Sequence, residues 1–432
     1  MKKLNIYIKE TLKYFFRSKL FIGKHVSEVE MLYNLDIEAL EDYKNNLFLK
    51  NFRLAINYSP FYKKLYAEAG ITEDMIKSVK DIDKLPIIDK TMIRHCSTDL
   101  IPSNSKKRLT PASTSGSTGT PLTVYRDYYS ILRDYSYYYV FRKRRGFKYG
   151  QRLVSIKGNL DRSIKTMNLH LSNTLYLSSY NINEDIVLNT YYKKIKDFKP
   201  VAIEGYPSSI YNICSILKEH NLQLNIPVVF TTSETLFDYQ RDIIEEVMNT
   251  QIYDYYGNCE RSVSLLECMD HRGYYESPGF AILEFVNDTP ITTSLINLSY
   301  PLIRYKVDDV VTLSEDRRFK DGEYNTVESI EGRLDDVIIT KNGSRIGRLG
   351  FLFMNLKGVK QAQIVQTEIG KIDVNIVPDG AFRLEDQEYL SNLIDERIGL
   401  NNIDLKINLI LESDIIYTKM NKFRVIVSKL NE

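Results

Sequence analysis

The stretch Thr114-Ser115-Gly116-Ser117-Thr118-Gly119-Thr120-Pro121 packs hydroxyls and two glycines into eight residues. Glycine lets a backbone curl until several N–H groups point inward, and hydroxyls add further donors, which is what a polyphosphate requires. The segment reads as an anion cradle. It is not the Walker loop, whose G-x-x-x-x-G-K-[ST] spacing is absent. Taken alone, such a Ser/Thr/Gly run describes a flexible linker equally well.

Four later segments change that balance. Thr231-Thr232-Ser233-Glu234 follows a predicted buried strand, where an α/β sheet presents its ligand contacts. Tyr256-Gly257-Asn258-Cys259-Glu260 ends another. There an aromatic ring can cover a purine, the glycine permits close approach, and the Glu260 carboxylate can hold Mg²⁺ on phosphates. Pro301-Leu302-Ile303-Arg304-Tyr305-Lys306-Val307-Asp308-Asp309 places an acidic pair beside a strand, suited to accept from ribose hydroxyls. Gly332-Arg333-Leu334-Asp335-Asp336 then marks the apparent domain boundary.

This ordered set resembles the adenylate-forming (ANL) superfamily, and within it the phenylacetate-CoA ligase and CapK-like capsular polysaccharide biosynthesis branch. The likeness runs from Tyr58-Ser59-Pro60-Phe61-Tyr62 and Leu85-Pro86 to Thr418-Lys419-Met420-Asn421-Lys422-Phe423-Arg424. It implies that Thr114, Ser115, Gly116, Ser117, Thr118 and Gly119 surround the phosphates of ATP. It further implies that Ser233 and Glu234 border the adenine, Tyr256 stacks on it beside Gly257, and Glu260 holds Mg²⁺. Asp309 matches the ribose-binding aspartate, Arg333 the arginine that follows the nucleotide, and Asp335 the hinge of the small domain. Lys422 matches the lysine of the first half-reaction, and Tyr206, Pro207 and Ser208 line the acyl pocket by position. The implied reaction joins a carboxylate to AMP with release of pyrophosphate, then passes the acyl group to CoA or to an amine such as an amino sugar. Two positions depart from the pattern: Leu122 stands where many members carry lysine, and Asn421 where glycine is usual. They are the support for a rival expectation, a degenerate nucleotide- or carboxylate-binding protein without turnover.

The elements that must position these residues follow from periodicity. Strand-like segments at 153–156, 201–203, 228–231 and 251–255 alternate with helical patterns at 210–220 and 239–248, which implies an α/β fold with a largely parallel sheet. Residues 36–69 read as two helices broken at Pro60, and 128–141 as an aromatic helix closed by the basic run 142–145. Residues 280–313 read as strands and turns, and the last ninety or so as strand, helix and strand units. The resemblance implies a large adenylating domain over 1–334, with mixed and parallel sheets, and a small mobile α+β domain over 335–432 carrying Lys422.

The 432 residues suit two domains. Lys+Arg 58 against Asp+Glu 56 leaves +2, too balanced to steer the whole chain toward nucleic acid. Four sparse cysteines fit a reducing compartment, and cytoplasm is the expected location. Cys259, Cys268 and His271 lie close in sequence but offer no C-x-x-C pair and lack a fourth zinc ligand unless Cys214 or a carboxylate joins them, so zinc is the lesser expectation. Over residues 1–23 Leu4, Ile8, Leu12, Phe15, Phe16 and Leu20 recur at helical spacing among lysines. That helix is expected to pack on its own domain, with contact to a membrane surface as the lesser reading.

Overall fold

Asp36 accepts the amide of Ala39 at 2.8 Å and so starts the helix Ile37–Tyr58. Ser59 ends that helix, donates to the Asp99 carbonyl, and caps Pro60–Glu68, whose proline sits in the first turn where no N–H is needed. The break expected at Pro60 is therefore a capped junction, and it lets both helices bury one face: Phe48, Phe52, Tyr62 and Tyr66 are at most 1% exposed. In this computed structural model residues 2–430 are described except 17–18, 114–121, 159, 162, 287–288, 308, 314–325, 334–337, 344, 347–348, 354–355, 357, 379–381, 399–400 and 418–422.

The largest sheet has ten strands in the order Asp309–Leu313, Thr326–Arg333, Tyr274–Glu276, Ser264–Glu267, Ile252–Gly257, Val228–Thr232, Ala202–Gly205, Leu153–Lys157, Thr174–Ser178 and Thr166–Leu169. The five from Ile252–Gly257 to Thr174–Ser178 are parallel; those outside them are antiparallel. The four strands expected from periodicity are the middle of this sheet. Helices Pro207–Glu219 and Asp238–Met248 cover one face, where Ile210, Ile213, Leu217, Ile244 and Met248 meet Val154, Ile156, Ile203, Val229 and Ile252. Helix Tyr128–Arg144 covers the other, with Phe141 against Phe230. Gly205 is required at its place, because a Cβ there would stand 2.6 Å from the Ile156 carbonyl oxygen of the neighbouring strand.

Strands Ala281–Val286, Thr289–Ser294 and Tyr305–Lys306 form a separate antiparallel sheet that packs on the N-terminal helices through Ile282, Tyr300, Leu302 and Tyr305. Sequence reading assigned all of 280–313 to one β-rich unit. In fact Asp309–Leu313 leaves it and pairs with Thr326–Arg333 at the edge of the large sheet. A four-stranded sheet of Asp404–Leu409, Lys371–Pro378, Val359–Glu368 and Ile426–Ser428 packs against the helix Leu384–Ile398 through Ile364, Val374, Leu390 and Ile394. The expected boundary at 334/335 lies outside the described residues.

Two residues of the basic run at the end of the aromatic helix, Arg142 and Arg145, point inward, while Lys143 and Arg144 are exposed. Arg142 pairs with Glu204 at 3.2 Å, and the Arg145 guanidinium lies 4.0 Å from the Phe141 ring. Glu204 also takes Lys157 at 3.2 Å and the Ser155 hydroxyl at 3.0 Å. Burial alone would raise its pKa, but Lys157 and Arg142 outweigh burial and bring it to about 2. A depressed carboxyl stabilises the fold above its unfolded value of about 4.3 and loses that contribution as pH falls toward its folded value. Glu204→Gln, which strands the buried Arg142 and the half-buried Lys157, is expected to cost about 3 kcal/mol in urea unfolding near neutral pH. The gap from wild type should close as pH falls through the range from about 4 to about 2.

Candidate active site

The sequence segments that carry the resemblance are stitched together by buried polar contacts. The Tyr62 hydroxyl donates to the Pro301 carbonyl at 3.3 Å and accepts the Ile303 amide at 2.9 Å. Arg304, in the left-handed region at φ 50°, sends its guanidinium to the carbonyls of Asp83 at 2.9 Å and Leu85 at 2.5 Å and grips Glu284 at 2.8 and 3.2 Å. Ile88 pairs with the 304–306 backbone, its amide meeting the Arg304 carbonyl at 3.0 Å. Thus the Tyr58–Tyr62 segment, Leu85-Pro86 and the 301–309 segment form one unit.

That unit delivers Tyr305 and Asp309 to the turn after the strand Ile252–Gly257. The Asn258 side chain closes this turn on Ser262, donating at 2.8 Å and accepting the Ser262 amide at 3.0 Å. Glu260 is thereby buried at 8% exposure and accepts from the Tyr305 hydroxyl at 3.1 Å. Burial raises its pKa, the Tyr305 hydrogen bond and the charge of Lys90 pull it down, and Asp309 pushes it further up. The Tyr256 hydroxyl donates to the Asp309 carboxylate. Asp309 in turn stands opposite Arg333 in the edge register, so Tyr256, Glu260, Asp309 and the Arg333 backbone share one corner. Gly257 leaves room mainly for the Tyr255 ring, 3.1 Å from where its Cβ would be.

The cradle, residues 114–121, lies outside the described residues, but both its stems reach this corner. Leu109–Ser113 and Thr123–Asp127 pair as a hairpin. The Cys259 thiol donates to the Ser113 carbonyl at 3.5 Å, and Arg126 Nη2 reaches the Cys259 carbonyl and, at 3.0 Å, its Sγ. Leu122, one of the two departures from the family pattern, is fully buried in the core of the N-terminal helices, a place where a lysine could not serve a ligand.

Ser233 adopts φ 73°, strain that a non-glycine residue keeps only under constraint. The kink turns Glu234 so that Oε2 accepts the Ser208 amide at 3.1 Å and Oε1 the Phe423 amide at 2.8 Å. One carboxylate therefore joins the start of helix Pro207–Glu219 to the residue that follows Lys422. Lys422 and Asp335 lie outside the described residues. Around this joint Phe237, Val377, Ile415 and Phe423 bury one another, and Asn212 donates to the Tyr417 hydroxyl at 3.3 Å. Tyr206, Pro207 and Ser208 are all buried, the Tyr206 hydroxyl raised to about 12 by burial, and the Ser208 hydroxyl has no partner among the described residues. Behind the Thr231–Glu234 segment, Thr231 donates to Asp254 at 2.6 Å.

Sequence reading missed Lys90, Arg126 and Tyr305. Lys90 is 8% exposed and opens the short helix capped by Asp89. Its only sequence signal is that it follows Leu85-Pro86 within a charged stretch. The residues considered for zinc do not gather. Cys259 faces Arg126, His271 meets Glu267 at 3.1 Å and stacks on Tyr253, and no cluster of three metal-ligating side chains occurs among the described residues.

The chain shares its fold with solved acyl-CoA ligases. It superposes on 2-hydroxyisobutyryl-CoA ligase, solved in the postadenylation state with R3-HIB-AMP, at a TM-score of 0.65 and 16% identity, covering 91% of this chain and 89% of that one. Residues 338–429 match the family model of the CapK C-terminal domain, and the chain is 26% identical to Protein CapK of Staphylococcus aureus over 376 residues, 82% of this chain and 80% of the relative. It is also 25% identical to the indoleacetate–lysine synthetase of Pseudomonas savastanoi over 181 residues, 37% of this chain and 44% of that one.

Glu234→Ala should release the Ser208 and Phe423 amides. Hydrogen exchange at Phe423 is expected to quicken about tenfold, as loss of one charge-assisted hydrogen bond implies. The strand Ala202–Gly205 should keep its protection; unchanged exchange at Phe423 would refute the joint.

Proposed function

We propose that this chain activates a carboxylic acid with ATP, forming an acyl-adenylate and releasing pyrophosphate, and then transfers the acyl group to the thiol of CoA or to an amine. The observation that carries this reading is the convergence of Tyr256, Glu260, Asp309, the Arg333 backbone and both stems of the 114–121 loop on one corner of the sheet. A carboxylate is a poor electrophile because oxide is a prohibitive leaving group, whereas in its mixed anhydride AMP is a good leaving group. The enzyme must therefore stabilise charge that develops when the acid attacks the α-phosphate.

In this reading Thr114, Ser115, Gly116, Ser117, Thr118 and Gly119 wrap the phosphates with amides and hydroxyls. Tyr256 covers the adenine beside Ser233 and Glu234, and its hydroxyl aims the Asp309 carboxylate at the ribose. Arg333 follows the nucleotide. Glu260 fits a magnesium ion: one buried carboxylate suits an ion that keeps most of its ligands from water and phosphate, and Tyr305 fixes the carboxylate's orientation. When bound there, magnesium supplies positive charge to the polyphosphate. Lys422 bridges the attacking carboxylate and the α-phosphate, and the Phe423–Glu234 hydrogen bond supports that assignment by anchoring its neighbour at the cleft. Tyr206, Pro207 and Ser208 border the acyl group. Rotation near Asp335 then withdraws Lys422 and admits the acceptor.

The likeness to a CoA ligase supports a thiol acceptor, and the likeness to an indoleacetate–lysine synthetase supports an amine. The likeness to Protein CapK supports a place in surface polysaccharide biosynthesis, with an amino sugar as one acceptor.

Acids that are substrates should drive exchange of labelled pyrophosphate into ATP. Lys422→Ala should lower that exchange by about a hundredfold or more, the scale for loss of one charge-stabilising group in a transition state. Exchange unaffected by Lys422→Ala would remove the lysine from the first step. Tight ATP binding without exchange across a broad panel of acids would refute turnover altogether.

A further inference from the structure

The helix Lys2–Phe16 presents two unlike sides. Toward the body, Glu10 is 9% exposed and accepts from the Tyr176 hydroxyl at 3.4 Å, Tyr14 stacks on Tyr149, and Ile6 and Tyr7 pack against Leu160, Ile164 and Met167. The helix does rest on its own domain, but not by its apolar stripe. Leu4, Ile8, Leu12, Phe15 and Phe16 lie at i, i+4, i+8, i+11 and i+12, one helical face, and stand 46–60% exposed. Phe16 meets Tyr128 edge-on and Phe21 at 5.8 Å between ring centroids, so the stripe continues into exposed aromatic surface at Tyr128 and Tyr129. Between stripe and helix Tyr128–Arg144 runs an open groove of about 600 Å³ lined by Ile8, Leu12, Phe16, Ile131 and Leu132.

Water contact of this extent along a continuous face is costly, and something of matching chemistry should cover it. The charges identify what. The single acid of this helix, Glu10, is turned inward and pairs with the half-exposed Lys13 at 2.6 Å, whereas Lys3 and Lys9 are exposed. An apolar, aromatic-rich stripe bordered by cations alone complements an anionic lipid surface. A second copy facing it would bring lysines against lysines across a two-fold axis. Among the described residues no helix is long and apolar enough to cross a membrane, so the contact is peripheral.

We propose that the face formed by Leu4, Ile8, Leu12, Phe15 and Phe16 lies on an anionic bilayer, apolar side chains in the headgroup–acyl boundary and lysines on lipid phosphates. The full chain should sediment with vesicles of equimolar phosphatidylcholine and phosphatidylglycerol, far less with phosphatidylcholine alone, and should be released by high salt. Ile8→Ser/Leu12→Ser should weaken partitioning by about tenfold or more, and Lys3→Gln/Lys9→Gln should erase the preference for phosphatidylglycerol. Both substitutions sit on exposed positions, and melting curves matching wild type establish that the fold is kept. Failure to sediment with the anionic vesicles overturns the proposal, as does binding indifferent to both variants. So does a concentration-dependent dimer, seen by light scattering, that Ile8→Ser/Leu12→Ser dissolves.

Discussion

A buried guanidinium has to be satisfied completely or not be buried at all, and Arg304 meets that condition at the junction of three parts of the chain. Its left-handed backbone and its contacts to Asp83, Leu85 and Glu284 bind the N-terminal helical layer to the small antiparallel sheet. Every later step relies on that junction. It brings the segment after Pro86 beside residues 301–307, which puts Lys90 and Tyr305 within reach of Glu260 and starts the strand that carries Asp309. Removing one partner would leave the others buried and unpaired, a loss of about 3–5 kcal/mol.

The same economy governs the cleft. Glu260 is held ionisable by a hydroxyl and a lysine against burial and a neighbouring aspartate, a balance that a bound cation would tip. Glu234 has no such surplus, because two backbone amides take its oxygens, one from the body and one from the C-terminal segment. In the proposed function the first carboxylate holds a ligand. The second joins the two parts of the chain, and the proposed swing of the small domain would have to break its hydrogen bond to Phe423.

The centre of the large sheet was legible in the sequence because buried parallel strands are short apolar runs between amphipathic helices, as at 228–231 and 239–248. Its antiparallel wings were not. Ser264–Glu267 and Tyr274–Glu276 are brief and carry polar residues inward, Glu267 accepting the Asp254 amide at 2.6 Å, so their pattern resembles a loop. Tyr256 and Asp309 could be paired in function from motif order, but their mutual hydrogen bond could not be foreseen, since the edge strand belongs to a different sheet from the residues just before it. Leu122 looked like a missing cation and is a core side chain. Lys90 and Arg126 act through contacts made across more than a hundred residues, which no local period records.

In the proposed function these distant segments enclose one nucleotide. A crystal structure of the full chain with a non-hydrolysable ATP analogue and magnesium tests it most directly. The account predicts the adenine against Tyr256, the ribose on Asp309, the phosphates within residues 114–119 and the metal at Glu260. A nucleotide bound anywhere else, or one whose ribose and phosphates leave Asp309 and Glu260 untouched, would contradict it.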